Sequence, residues 1–195
     1  MAYEDEKMIK AMNAYKKGTY GSLEEGFFIR EELVEFKKEQ LFDGKMQMML
    51  PVSFTDMPME LAKLKYPMEQ CPQVIKSNEA TDINFTFSLA DQPLTNDQVK
   101  QVRDSLKRVL KTVRPDMRFM EEGMEEMGEG SIGWFELTYS GIDTKIYNIM
   151  YFTTIAGKMM HGIFNCPARE AVNWKRVVFE MMRTIKSSGD MSSIN

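Results

Sequence analysis

Glycines at positions 128, 130 and 133 spell the string G-x-G-x-x-G, which many dinucleotide-binding proteins use. A dinucleotide site needs this string at the start of a helix, because the amides of the first helical turn hold the pyrophosphate. Here the string leads into a predicted strand at residues 134–139. A kinase-type glycine loop lies between strands, but the lysine, base and metal motifs that accompany it are absent from the sequence. We therefore predict a hairpin turn and no bound cofactor.

Five glutamates surround the start of this string: Glu121, Glu122, Glu125, Glu126 and Glu129. Carboxylates suit calcium or magnesium, but this spacing lacks the central glycine and terminal bidentate glutamate of a calcium loop, so we predict no metal site. A solvated acidic edge is expected instead, because such charges discourage edge-to-edge aggregation of sheets. The same charges can contact a basic protein, and these five residues are the candidate partner surface.

His161 is the single histidine, and Cys166 is the nearest thiol that it could activate. The two lie five residues apart on one predicted strand, so their side chains should leave opposite faces. Cys166 precedes a predicted helix, whose dipole can lower the pKa of a thiol. No base or orienting carboxylate stands at a recognisable spacing, so we predict a packed thiol and no catalytic residue.

Four large aromatic residues are candidates for an apolar pocket between sheet and helix: Trp134, Tyr147, Tyr151 and Trp174. Most of them are expected to belong to the core. The 19 methionines allow a similar choice, since methionine either fills a core or forms a surface that accepts varied apolar partners. We expect core packing for most of them.

The strands that carry these candidate residues are predicted to form an antiparallel sheet. Asp43-Gly44 joins alternating segments at 33–41 and 46–52, which is typical of a tight hairpin because its central positions need positive φ. Short connections also join the predicted strands 134–139, 145–155 and 159–165. Such short links produce an antiparallel meander, since parallel neighbours need a long crossover. Two further strands are predicted at 73–76 and 82–89, with a short helical turn at 59–64 before them.

Two amphipathic helices should cover this sheet. The first, at 96–113, begins with a capping box formed by Thr95 and Gln98 and is stopped by Pro115. The second is predicted at 167–186. Another amphipathic helix is predicted at 3–17. We therefore divide the chain into an N-terminal helix and linker (1–32), one α+β domain (33–187) and a frayed tail (188–195). The domain is expected to be an α/β/α sandwich with a central antiparallel sheet of six or seven strands.

The overall charge limits the classes of partner. A net charge of -4 and a pI near 5.3 argue against nucleic-acid binding and against attachment to a membrane through a basic face. No run approaches the roughly 18 apolar residues of a membrane-spanning helix, and the acidic N-terminus does not have the form of a secretory signal. Two cysteines are too few for a disulfide framework, so we expect a cytoplasmic protein.

The order of elements, with Met-Leu-Pro-Val-Ser-Phe at 49–54 and Gly-Trp-Phe-Glu at 133–136, resembles the PsbP-like fold superfamily. That superfamily includes photosystem subunits, a Ran-binding nuclear import factor and bacterial proteins of unknown role. The resemblance covers residues 33–186. It implies helices on both sides of an antiparallel sheet and a non-enzymatic adaptor or chaperone, with no catalytic residue to carry over.

Three functions remain open from the sequence. The first is a non-catalytic protein-binding module, an adaptor or chaperone-like factor for a secreted or assembled partner. The second is a small-molecule or lipid-binding domain with a pocket between sheet and helix. The third is an enzyme whose site is assembled from distant residues. A homodimer through an exposed edge strand or the N-terminal helix is a further expectation.

Overall fold

The computed structural model describes residues 21–30, 32–66, 71–128 and 130–188. The predicted helix at 3–17, Glu129 and the tail after residue 188 lie outside the described residues. The described strands are β1 (Gly21–Ser22), β2 (Gly26–Ile29), β3 (Glu32–Val34), β4 (Phe36–Leu41), β5 (Met46–Pro51), β6 (Thr55–Asp56), β7 (Val74–Ser77), β8 (Asn84–Pro93), β9 (Arg118–Met127), β10 (Gly130–Ser140), β11 (Lys145–Ile155), β12 (Lys158–Pro167) and β13 (Lys186–Ser187). The described α-helices are α1 (Met59–Lys65), α2 (Val99–Val113) and α3 (Ala171–Met182), with 3-10 turns at Asn96–Gln98 and Ala168–Glu170.

A seven-stranded antiparallel sheet forms the centre of the molecule. Its strand order is β6-β7-β8-β12-β11-β10-β9, and β10, β11 and β12 form the predicted meander. Of the glycines in the string, Gly128 lies in a turn after β9, and Gly130 and Gly133 lie in β10. The sequence-based prediction of a hairpin at these glycines is therefore confirmed.

Helices cover both faces of this sheet, as the sequence predicts. On one face, which we call the α3 face, α3 and a small sheet of β13, β5 and β4 bury the apolar side chains of the central strands. On the other, the α2 face, α2 packs over Phe135, Leu137 and Phe152, while α1 packs over Ile75. The predicted α+β class and α/β/α arrangement are confirmed.

The α2 helix begins as predicted and packs less completely than predicted. Thr95 and Gln98 form the capping box. Val99 is fully buried at the start of the apolar stripe, but Val109 and Val113 remain 53% and 61% exposed. Only the N-terminal part of the stripe therefore lies fully against the sheet.

The α3 helix is shorter than the predicted helix at 167–186. It ends at Met182, and Lys186–Ser187 pair as β13 with Met46 and Gln47 of β5. Thr184 explains the change of direction, because its hydroxyl donates to the Met181 carbonyl and accepts a hydrogen bond from the Met49 amide. This tie to β5 leads the chain out of the helix.

The folded region also begins earlier than residue 33. Leu23, Phe27 and Ile29 from β1, β2 and their turn are buried in the core under α3. Gly26 adopts a φ of +89° and Arg30 a φ of 51°, so this segment turns too sharply for a regular alternating pattern. Short strands without alternation give a weak sequence signal, so the predicted domain boundary at residue 33 leaves out these buried residues.

Candidate functional site

The β9 strand lies at one end of the seven-stranded sheet. It pairs with β10 on one side, and no described strand pairs with its other side. Phe135 is opposite Glu122, but Leu137 is opposite Phe119, so Met120 and Glu121 together oppose Glu136. This is a β-bulge, a feature that is common at sheet edges. From residue 122 to residue 127 the register is regular.

Two helices hold β9 from opposite faces. From α2, Lys107 Nζ lies 2.8 Å from Glu122 Oε2, and Arg103 Nη1 donates to the Gly123 carbonyl at 2.8 Å. From α3, Lys175 Nζ lies 3.0 Å from Glu121 Oε2, and Nη2 of Arg183, the residue that follows α3, lies 3.0 Å from Glu125 Oε2. The hydrogen bond from Lys107 lowers the pKa of Glu122.

The predicted acidic surface is therefore partly neutralised within the molecule. Glu121, Glu122 and Glu125 have cationic partners, whereas Glu126 is exposed and has no ion pair among the described residues. Glu129 is outside the described residues. Ion pairs on an exposed surface contribute about 0–1 kcal/mol each, so these pairs orient the carboxylates more than they stabilise the fold.

The indole of Trp134, a residue of β10, lies over Gly123 of β9, its partner in the β9–β10 register. A Cβ on Gly123 would lie 2.8 Å from Trp134 Cζ2 and 3.1 Å from its Nε1. Trp134 is 8% exposed, packs edge-on against Phe179 of α3 with ring centroids 4.6 Å apart, and its Nε1–H has no hydrogen-bond partner. Glycine at position 123 thus allows the indole to reach the outer edge of the sheet.

A surface groove of 540 Å³ runs between β9 and α3, and we call it the edge groove. Its apolar part consists of Trp134, Phe179 and Val172, the last of which is 84% exposed. Its charged lining residues are Glu121, Glu125, Lys175, Arg176, Glu180 and Arg183. Apolar side chains bordered by charges of both signs, beside an unpaired strand, form a surface suited to a polypeptide.

A buried carboxylate lies beneath this groove. Glu136 is 0% exposed, and its Oε1 lies 2.8 Å from Lys175 Nζ. Burial opposes the charge on Lys175, but the Glu136 and Glu121 carboxylates outweigh it and raise the pKa of Lys175. Burial, followed by the Glu136 charge, raises the pKa of Tyr147 on the adjacent strand. Lys175 thus joins the exposed Glu121 to the buried Glu136.

The four predicted pocket residues divide between the core and the edge groove. Tyr147, Tyr151 and Trp174 are at most 3% exposed and belong to the core under α3. The ring of Tyr151 lies over Gly162, where a Cβ would come within 2.2 Å of it. Of the four, Trp134 lines the edge groove.

His161 and Cys166 do leave opposite faces of β12. His161 pairs in register with Phe152 and stacks on its ring at 4.8 Å, on the α2 face. Cys166 pairs with Tyr147 and is buried on the α3 face. Burial lowers the pKa of His161 to about 4 and raises the pKa of Cys166 to about 12. The two side chains form no dyad, and Cys166 has the character of a packed thiol.

Sequence reasoning missed the helix side of the site. It selected the glutamates but not Lys175, Phe179 or Arg183, because the outer face of α3 has the composition of any solvated helix. One signal was present: Gly123 stands inside a run of charged residues, and a glycine within a strand often marks a close approach of another group.

Among the described residues, no three His, Cys, Asp or Glu side chains converge as ligands for a metal ion. None of the helices in the described ranges combines the length and the apolar character needed to cross a membrane.

Comparison with solved structures identifies the fold. The chain is similar to the cyanobacterial PsbP protein of Synechocystis, with a TM-score of 0.58, 11% identity and coverage of 80% of this chain and 94% of that one. This chain has the PsbP-like fold. The Ran-binding protein Mog1p of Saccharomyces cerevisiae matches with a TM-score of 0.50, 12% identity and coverage of 82% and 98%.

A third PsbP-like match is LpqN of Mycobacterium tuberculosis, a protein involved in cell envelope biogenesis. It has a TM-score of 0.50, 11% identity and coverage of 82% of this chain and 94% of that one. No family model and no curated protein matches the sequence. The fold suggested by the sequence resemblance is confirmed, and identities this low carry the fold alone.

Proposed function

We propose that this protein is a non-catalytic binding module that holds an extended segment of another protein at β9, as an adaptor or chaperone-like factor for a secreted or assembled partner. The observation that carries the proposal is the unpaired edge of β9 beside the edge groove. An edge strand presents backbone donors and acceptors to an added strand, and an adjacent groove accepts alternate side chains of that strand. Arg103 donates a hydrogen bond to the Gly123 carbonyl. That carbonyl can still accept a hydrogen bond from an added strand, since a carbonyl oxygen has a second lone pair.

Two further observations support a protein partner over a small molecule. The edge groove is open and bordered by charges, whereas ligand pockets are concave and mostly apolar. Tyr147, Tyr151 and Trp174, three of the four candidate pocket residues, are buried in the core. Both Cys71 and Cys166 are free thiols, in keeping with the proposed cytoplasmic location.

Affinity capture with paired charge variants tests the proposal. The full-length protein and two variants, Glu126→Lys at the edge and Glu79→Lys away from it, are used to capture proteins from the native host. Both glutamates are exposed and have no ion pair among the described residues, so the two variants change the net charge equally. We expect a protein that the wild type and Glu79→Lys retain and Glu126→Lys loses. Equal capture by all three forms would contradict the proposal.

A further inference from the structure

We propose that the β9 edge, together with the edge groove beside it, selects an extended, basic segment that carries a large apolar side chain opposite Gly123. This inference rests on the proposed function and specifies the chemistry of the partner at the same site. Two independent observations support the inference: the charge of the regular part of β9 and the position of Trp134.

The regular part of β9, residues 122–127, contains three glutamates: Glu122, Glu125 and Glu126. Glu122 and Glu126 project toward the α2 face, and Glu125 projects toward the α3 face, so an added strand meets carboxylates on both of its faces. The side chains of Glu122 and Glu125 remain 40% and 25% exposed despite their ion pairs, and a carboxylate can accept further donors. Opposite charges across a strand pair stabilise it, so lysine or arginine fits these positions.

The same charges disfavour a second copy of this chain as the occupant. Antiparallel pairing of two β9 strands would place the glutamates of one copy beside those of the other. Like charges directly opposite one another destabilise a strand pair. A partner of opposite charge is therefore the better occupant of this edge.

The position of Trp134 is the second observation, and it accounts for the large apolar side chain opposite Gly123. Its indole lies over Gly123, reaches the outer edge of the sheet and has a buried Nε1–H without an acceptor. Because Gly123 has no side chain, the residue opposite it in an added strand meets the indole, with Phe179 and Val172 completing the apolar part of the groove. Aromatic side chains next to strand glycines cover the gap that the missing side chain leaves. A phenylalanine or leucine at this position would bury its surface against Trp134.

Fluorescence with designed peptides tests the inference. The sequence has two tryptophans, so Trp174→Phe leaves Trp134 as the sole reporter. Three capped ten-residue peptides are titrated: one alternating lysine and valine around a central phenylalanine, one with glutamate replacing lysine, and one with alanine replacing phenylalanine. We expect the lysine peptide to change the Trp134 emission and to bind about tenfold more tightly than the glutamate peptide. Loss of the phenylalanine should weaken binding about fivefold.

The controls separate this inference from the proposed function. Glu126→Lys should weaken binding of the lysine peptide, and Glu79→Lys should leave it unchanged. If Trp174→Phe does not fold, hydrogen exchange of β9 in the unaltered protein replaces the fluorescence measurement. Equal or tighter binding of the glutamate peptide, or no binding of the lysine peptide, would overturn the chemistry proposed here. The proposed function would then still stand if captured protein is lost with Glu126→Lys, and it would fail if capture is unaffected.

Discussion

At one end of the seven-stranded sheet lies β6, with two residues, and at the other lies β9, with ten. Each end has a lysine between two carboxylates. At the short edge, Lys76 is the more buried group, with its side chain 10% exposed and Glu39 and Asp56 at 21% and 75%. At the long edge the buried group is the anion Glu136, at 0%, and Lys175 is 35% exposed.

We infer from this difference which edge is the better template for another chain. A two-residue strand offers almost no template for pairing, and short edge strands are one way in which proteins avoid unwanted association. The β9 edge has charges and a bulge but keeps six residues in regular register. The length of β6 thus disfavours pairing at the short edge, and the selectivity proposed for the long edge comes from its side chains.

The largest expected effect is at Lys175. The Lys175→Met variant leaves Glu136 buried without its cation, and removal of one partner from a buried pair typically costs about 3–5 kcal/mol. Because Lys175 is partly exposed, we expect a loss of about 2–3 kcal/mol in the free energy of unfolding, measured by urea denaturation. The double variant Glu136→Gln/Lys175→Met should recover most of it. An unchanged midpoint for Lys175→Met would show that Glu136 does not depend on this lysine.

A second test concerns the glycine under Trp134. Gly123→Ala places a Cβ 2.8 Å from the indole, and overpacking of this kind costs about 1–3 kcal/mol of unfolding free energy. Gly128→Ala is the matched control, since a Cβ there has no neighbour within 4 Å. We expect a lower thermal midpoint and an altered Trp134 emission for Gly123→Ala only. Equal effects of the two changes would argue against the close approach of the indole.

Much of the fold was predictable because its signals are local. The Asp43-Gly44 turn, the Thr95–Gln98 capping box and the apolar periodicity of the meander strands each determine one element. The β9 strand was not predicted, because Arg118–Met127 has no apolar alternation and owes its pairing to β10. The site was half predictable. The glutamates stand out in the sequence, but Lys175 and Arg183 lie 54 and 58 residues after their partners and meet them only through tertiary packing.

A third test uses pH to distinguish a histidine at the centre of the sheet from the carboxylates at its two edges. Burial lowers the pKa of His161 from 6.5 to about 4, so the folded state favours the neutral ring. Its contribution to stability is complete above pH 6.5 and is lost as the pH falls toward 4, by at most about 2 kcal/mol at pH 5. The pKa values of Glu39 and Glu122 at the two edges are lowered from 4.5, so their contributions fall away only below that pH.

Denaturation at pH 7 and pH 5 should therefore show a loss of stability in the wild type and a smaller one in His161→Phe, whose side chain can keep the stack on Phe152. The same loss in both proteins would assign the pH dependence to other groups.

The smallest expected effect is at the short edge. Lys76→Met removes an ammonium whose side chain is 10% exposed, and the exposed Asp56 regains water while Glu39 keeps Lys37 at 3.2 Å. We expect a change of about 1 kcal/mol or less in unfolding free energy, measured beside Lys175→Met under the same conditions. A loss as large as that of Lys175→Met would remove the energetic contrast between the two edges.

Hydrogen exchange on the complex with a captured partner tests the central claim most directly. In the free protein, the outward amides of residues 122–127 should exchange quickly, because no described strand pairs with them. On binding, we predict that these amides gain protection together with those around Val172 to Phe179, while β6 and β7 stay unchanged. Protection elsewhere in the molecule, with β9 exchanging as fast as before, would contradict the assignment of β9 as the binding edge.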